Sequence, residues 1–468
     1  MKKLITVIMI ITILLSFSGS ALANSGPVFW QGYPSSVIMS IEDNSPIMVK
    51  GEDLIFDFSD YEDNYYTISG KVKATYNMVN PTHEKQKVLM AFPFIGKLED
   101  FTVEDIEIRS DDKVLTYNIY LGDRVESRGR PAEEDDSKIN FDFEDIVNSI
   151  TNDAYNASSF SADEKGRLYT IEVAPSTDQE INFAIDFNFN HEKTKVFTSG
   201  FNRYSRENAK TQVAAWCYKP ETLEILVLGE DVEFNISAYT DGELKKETDL
   251  FTYEISRQDT ELKSYLLEYI KENTRNKDYN IFSDIQLYNL YAKDLDKAFI
   301  NNLGYCSEDY LMSLDYSDRI MTLVYTAEFE ENSETRLSVS YKASGTMDKT
   351  ETSKPLYSFD YILNPARNWN SFGNLNVKVI TPDEAPYIVE SSIEFEKKED
   401  NLYTAELSSL PKEDLSFTLY EDEKITFIDK INGDLHRQFG YLTPIVVGSV
   451  IFLIVVIFLR IIIRKKRR

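Results

Sequence analysis

The chain has 468 residues, 42% hydrophobic and 27% charged, with a formal net charge of -28. That length exceeds one ordinary domain and suggests roughly two to three. An aromatic content of 13% excludes a disordered acidic chain, which lacks the side chains that build a core. Eighteen Gly and 14 Pro exclude a collagen-like or linker-dominated architecture, and two Cys exclude a disulfide-dense scaffold.

The chain opens MKKLITVIMIITILLSFSGSALAN. Lys2 and Lys3 precede an apolar stretch from Leu4 to Phe17, and Ala21-Leu22-Ala23 supplies small residues for a peptidase. The pattern predicts a secretory signal peptide over 1–23, cut before Asn24. No Cys stands at the cut, so a lipoprotein anchor is excluded.

Alternation of apolar and polar residues then predicts strands at Leu54–Phe58, Tyr66–Tyr76, Val88–Phe92 and from Val103 to Tyr120. A polar interruption, Arg124 to Asp145, leads into a short predicted helix, Phe143 to Ile150. Strands resume at Leu168–Val173 and Ile181–Phe189, then at Thr194–Phe201, Gln212–Tyr218, Leu223–Leu228 and Val232–Tyr239. The period changes next. Leu262, Tyr265, Leu266, Tyr269 and Ile270 form one helical stripe. Ile285, Tyr288, Tyr291, Leu295, Phe299 and Leu303 form a second, with Ser283 as N-cap and Gly304 as stop. A short third helix is predicted over Ser307–Leu314. Seven further strands lie between Ile320 and Tyr420.

The predicted fold class is mainly β (α+β): two β-sandwich-like extracellular domains with a helical module between them, plus one C-terminal transmembrane helix. The expected boundaries are 28–258 for the N-terminal β-rich domain, 259–317 for the helical module and 318–430 for the membrane-proximal sandwich. A transmembrane helix follows at 441–463 and a basic cytoplasmic tail at 464–468.

The transmembrane reading rests on Gln438 to Leu459, 22 residues without a charge. At 1.5 Å per residue that is enough for about 30 Å of hydrocarbon. Arg464 to Arg468 are all basic, which places this end in the cytoplasm. The expected location is the cell membrane, single-pass, with the main body outside and the lipid bilayer as partner. Leu410-Pro411-Lys412-Glu413-Asp414 departs from a wall-sorting motif, so anchoring falls to the helix. Eight basic residues lie at the two ends (Lys2, Lys3, Arg460, Arg464, Lys465, Lys466, Arg467 and Arg468). Of the 50 Lys and Arg, 42 therefore face all 78 acids in the body, a net of -36. Such a surface argues against nucleic acid and anionic polymers as partners.

Catalytic signatures are scarce. His83, His191 and His436 are far apart, and no HExxH, GxSxG, SxxK, CxxC or phosphate loop occurs. Cys217 and Cys306 are weighed as a disulfide that ties the first domain to the helical module, against two free buried thiols. Ser161 to Glu172 is compared with a calcium loop, with Ser161, Asp163 and Glu172 as Ca2+ ligands. Ser161 replaces the first acid and Lys165 occupies a ligand position, which favours a turn entering a strand. Arg367, Trp369 and Phe372 lie in a polar loop and are the candidate ligand contacts, for a protein or glycan partner. The favoured alternative is that Trp369 and Phe372 plug the end of a sandwich. Phe29-Trp30 beside Gly32-Tyr33-Pro34 is a similar aromatic group.

In its two ends alone, the chain resembles single-pass surface proteins of Gram-positive bacteria. That resemblance implies a location and no activity. The function expected from the sequence is a non-catalytic binding, sensing or scaffolding protein. The alternatives are a wall glycan hydrolase using two carboxylates and an accessory subunit of a membrane complex, with Gly448-Ser449 as a close-approach face.

Overall fold

Lys71 and Lys73 alternate with Val72, Ala74, Tyr76 and Met78, so one face of this strand must be buried. In the computed structural model those four apolar residues are buried within the strand Ser69–Asn80. The structure describes residues 27–41, 45–60, 66–126, 141, 143–207, 210–276, 278–350, 352, 354–363, 365–366, 369–439 and 443–465. Strands hold 47% of the chain and helices 18%, so the fold is mainly β.

Ser69–Asn80 sits near the middle of an eight-stranded sheet. Met48–Asp57 flanks it on one side and Ser333–Ser344 on the other, both antiparallel. Phe372–Ile380 then pairs in parallel with Met48–Asp57. A six-stranded sheet centred on Leu356–Ile362 and Leu415–Tyr420 packs across from it. Aromatic rings fill the gap. Phe417 lies 5.0 Å from Phe56 and 5.3 Å from Phe359, and Phe58 lies 4.4 Å from Phe359. A four-stranded sheet extends this assembly: Met39–Ser40, Gln86–Gly96, Arg319–Phe329 and Asn118–Arg124.

The expected division at residue 318 is corrected here. Strands after 318 do not form a separate domain; they interleave with strands from 29–124 in all three of these sheets. Each segment alone leaves central strands such as Ser69–Asn80 and Gln86–Gly96 open along one side, and pairing the two segments satisfies those backbone groups.

Lys165 to Glu261 forms a second sandwich. Its five-stranded sheet includes Lys165–Pro175, Glu221–Gly229 and, at one edge, Phe251–Glu261. The opposing sheet is built around Lys210–Cys217 and Ile181–Asn188. Ile171, Phe183, Ile185, Val213 and Ile225 meet in a core of their own. Tyr305–Ser307, expected within the helical module, pairs in parallel with Thr194–Ser199 and completes the five-stranded sheet.

Helix α1 is Phe143–Ser149, α2 is Leu262–Asn273, α3 is Asp284–Asn301 and α4 is Glu308–Met312. All five stripe residues of α2 are buried, as are Tyr288, Tyr291, Leu295 and Phe299 of α3. Ser283 caps α3 by accepting from the Gln286 amide at 3.4 Å, and Gly304 takes a φ of +81° beyond its end. Leu303, expected on the stripe, is exposed with a φ of +51° in the turn that ends the helix. The α2–α3 layer joins the sandwiches. Phe197 of the five-stranded sheet lies 5.4 Å from Tyr269, and Phe282 lies 6.1 Å from Phe101 on the other side.

Two helices end the described chain, α5 over Phe427–Phe439 and α6 over Thr443–Lys465. The Thr443 hydroxyl donates to the Leu435 carbonyl at 3.0 Å. Side chains at Pro444, Phe458, Leu459 and beyond Arg460 lie outside the description. Among the described residues no helix is long and apolar enough to cross a membrane. The predicted signal peptide, 1–23, lies outside the described residues, as do Lys466 to Arg468.

One polar group sits deep between the sheets of the first sandwich. Glu52 is 1% exposed and its Oε1 accepts from the Tyr361 hydroxyl at 2.7 Å. Tyr361 and Tyr76 share a bond of 3.1 Å, and the Tyr76 hydroxyl accepts from the Ile38 amide at 3.4 Å. The second carboxyl oxygen has no partner. Burial pushes the Glu52 pKa from 4.5 up to about 7.

Candidate ligand-binding cleft

The first strand, Phe29–Trp30, is laid along Thr346–Asp348 at the edge of the six-stranded sheet. Gly32 allows this approach. A Cβ there would overlap the Ser344 carbonyl, and the Gly32 amide donates to Thr346 Oγ1 at 3.0 Å. The chain then turns through Tyr33 and Pro34 to Ser35–Ser36, which pairs in parallel with Tyr361–Ile362.

This path leaves an open cleft of about 540 Å³ between the N-terminal segment and two strand ends, Phe94–Gly96 and Tyr341–Ser344. Phe29, Trp30, Tyr33 and Phe94 are half-buried in its wall, while Phe101 and Tyr341 are buried. Phe94 is held by Phe92 at 6.2 Å and Phe101 at 5.5 Å, and Phe92 in turn by Tyr341 at 5.1 Å. Phe94, Phe101 and Tyr341 are thus part of the core packing and are set before any ligand arrives. Lys97, Lys342, Asp100, Asp105 and Asp318 supply charge around it.

Two of these carboxylates are engaged. Asp105 Oδ2 accepts from the Thr102 amide at 2.8 Å and from its hydroxyl at 3.1 Å. Asp318 accepts from the Tyr33 hydroxyl. Burial, then that bond and the carboxylate charge, hold the phenol well above its usual range. Tyr33 is therefore a neutral donor tied to Asp318, and the bond links two lining residues of the cleft. A volume of this size with apolar walls and a few placed polar groups suits a small organic ligand. A second cavity, about 640 Å³ between α3 and Asn118–Arg124, is walled by ion pairs. Lys293 meets Asp123 at 2.5 Å and Lys297 meets Asp294 at 3.6 Å, and Tyr155 is its one aromatic lining residue.

The residues singled out in the sequence fall elsewhere. Trp369 is 5% exposed and donates from Nε1 to the Ile38 carbonyl at 3.2 Å, so it is a plug and not a surface contact. Phe372 is half-buried at the start of its strand, opposite Val49. Arg367 lies outside the described residues.

Cys217 and Cys306 are separate buried thiols and not a bridge, the other of the two arrangements weighed from the sequence. Cys217 belongs to the core of the second sandwich. Cys306 faces the opposite side of the five-stranded sheet, away from its neighbour Tyr305 in that same core. The sheet stands between them. Burial pushes the Cys217 thiol up to about 11 and Cys306 higher still.

The segment compared with a calcium loop is a turn that enters a strand. Ser161 donates to Asp163 at 2.8 Å in a tight turn, but Glu172 lies on the extended strand Lys165–Pro175. At 3.3 Å per residue it sits roughly 23 Å beyond Lys165 and cannot reach the turn. Among the described residues no group of three or more His, Cys, Asp or Glu is placed to hold a metal.

Of the cleft, the sequence pointed only to Phe29, Trp30 and Tyr33, as an aromatic pair beside a Gly-x-Pro turn. Phe94, Phe101 and Tyr341 read as ordinary strand residues, because their meeting depends on long-range pairing.

No protein-family model matches the chain, and no curated protein matches it. Among solved structures, one from Legionella pneumophila, described as a "putative nutrient binding protein", aligns over 88% of this chain and 76% of its own. The identity is 10% and the TM-score 0.31, and a likeness of that size carries no argument here.

Proposed function

We propose that this is a non-catalytic binding protein, held at the outer face of a cell membrane, whose ligand site is the cleft beside Trp30. The observation that carries the reading is the aromatic lining of the cleft, Trp30 and Tyr33 beside the core-held Phe94, with lysines and carboxylates among the lining residues. Flat aromatic faces stack on the apolar faces of sugar rings while polar groups meet the hydroxyls. A mono- or oligosaccharide is the ligand class that uses both. Hydrolysis fits less well, because Asp105 and Asp318 are spent on Thr102 and Tyr33 and leave no free carboxylate pair among the three.

The anchor is supported by the charge-free run Gln438–Leu459 and by α6. As a helix, the 22 residues of that run would extend about 33 Å at 1.5 Å each. Ile445, Ile451, Leu453, Ile454 and Ile457 are each at least half exposed along it, which suits lipid and not water.

Calorimetric titration of residues 24–437 with a saccharide panel tests the ligand reading. Saturable binding that Trp30→Ala weakens at least tenfold is the expected result. Absence of binding across the panel, or binding untouched by W30A, would remove it.

A further inference from the structure

Helix α5 is a well-formed element with one face left uncovered. Its start is fixed by a reciprocal cap: the Thr426 amide and hydroxyl donate to Asp429 at 2.8 and 2.6 Å, and the Asp429 amide returns a bond to Thr426 Oγ1 at 3.2 Å. Phe427, Ile428, Ile431, Leu435 and Phe439 fall within about 120° of its circumference at 100° per residue. Gln438 is the polar residue inside that arc. Phe427 is 78% exposed, Ile428 68%, Ile431 41% and Phe439 38%. Asp429, Lys430, Asn432 and Asp434 occupy the remaining face. A contiguous apolar stripe on a capped helix marks an interaction surface.

Its position selects the occupant. Only three residues separate α5 from α6, and the Thr443–Leu435 bond ties the two ends together. If α6 enters a bilayer, the C-terminal end of α5 lies within about a helical turn of the headgroups. We infer that α5 lies in the outer membrane–water interface, with Phe427, Ile428, Ile431, Leu435 and Phe439 buried among the upper acyl chains. This rests on the anchor proposed above. Its charges balance, Asp429 and Asp434 against Lys430 and Arg437, so apolar burial and not attraction to anionic lipid drives the contact. The helix then acts as a foot. It seats the body on the surface, where a free flexible linker would let it swing.

Spin-label accessibility on the full chain tests this. Cys217 and Cys306 are 0% exposed, so single cysteines introduced as F427C, I431C, L435C, K430C and I451C label selectively in the folded protein. The protein is placed in phosphatidylcholine–phosphatidylglycerol vesicles and each label is read by collision with oxygen and with a water-soluble nickel chelate. The expected oxygen-to-nickel ratio is highest at I451C. At the three α5 apolar sites it is several-fold above K430C. A deep I451C with α5 sites matching K430C would overturn the interfacial helix and leave the anchor standing. Labels on α5 shielded from both reagents would also overturn it, in favour of a protein contact. A water-exposed I451C would overturn the anchor itself and this inference with it.

Discussion

The second sandwich is drawn almost wholly from one stretch of chain, Lys165 to Glu261, with Tyr305–Ser307 as its one outside strand. The first takes its central bonds from distant segments: Ser69–Asn80 pairs with Ser333–Ser344, and Met48–Asp57 with Phe372–Ile380. The second has a plain aliphatic and aromatic core, whereas the first carries the Glu52–Tyr361–Tyr76 network and the cleft. The contrast places the buried polar network and the cleft in the discontinuous sandwich, whose strand ends come together only when both halves of the chain are present.

Truncation should separate the two most sharply. A fragment of residues 24–317 lacks Ser333–Ser344 and Arg319–Phe329, the long partners of Ser69–Asn80 and Gln86–Gly96, and it should show no cooperative unfolding of the first sandwich. Calorimetry on this fragment that reproduced the full body's transitions would break the comparison. Point changes come next. Phe417→Ala removes a ring in contact with Phe56 and Phe359 and should cost about 3–5 kcal/mol. Phe183→Ala should cost a similar amount, read in the second sandwich. If hydrogen exchange shows F417A loosening Lys165–Glu261 as much as its own sheets, the two are one cooperative unit.

Glu52 sharpens the difference through pH. Its pKa is raised, from 4.5 unfolded to about 7 folded, so the folded state holds the proton more tightly. Its contribution is full below about pH 4.5 and is lost as the pH rises through 7. The loss is about 3 kcal/mol, at roughly 1.4 kcal/mol per unit. Glu52→Gln keeps an acceptor for Tyr361 and carries no charge. Relative to the parent it should gain stability between pH 5 and 8 by that order. Denaturant melts with parallel pH profiles for the two proteins would contradict this. The smallest effect belongs to the layer that joins the sandwiches: Ser283→Ala removes the cap of α3 and should cost about 1 kcal/mol in the same melts.

The same contrast explains what could be read from the sequence. The α2 stripe, the Ser283 cap and the strands Ile181–Asn188 and Lys210–Cys217 were legible because their signals are local. Phe251–Glu261 was missed because it is an edge strand whose apolar alternation, Phe251, Tyr253 and Ile255, stops halfway and leaves most side chains exposed. The boundary at 318 was drawn wrongly because sequence periodicity marks strands and is silent on their partners. Cys217 and Cys306 invited a bridge by number and compartment, yet a sheet lies between them. Trp369 drew attention as an aromatic in a polar loop, and its indole instead bonds the Ile38 carbonyl inside the core.

The measurement that bears most directly on the account is tryptophan emission from residues 24–437 during saccharide titration. The chain has three Trp, of which Trp30 stands in the cleft and Trp369 is buried. The account predicts a saturable change in emission that disappears in Trp30→Phe and persists in Trp216→Phe. A change that survives W30F, or none with any saccharide, would contradict the assignment of the cleft as the ligand site.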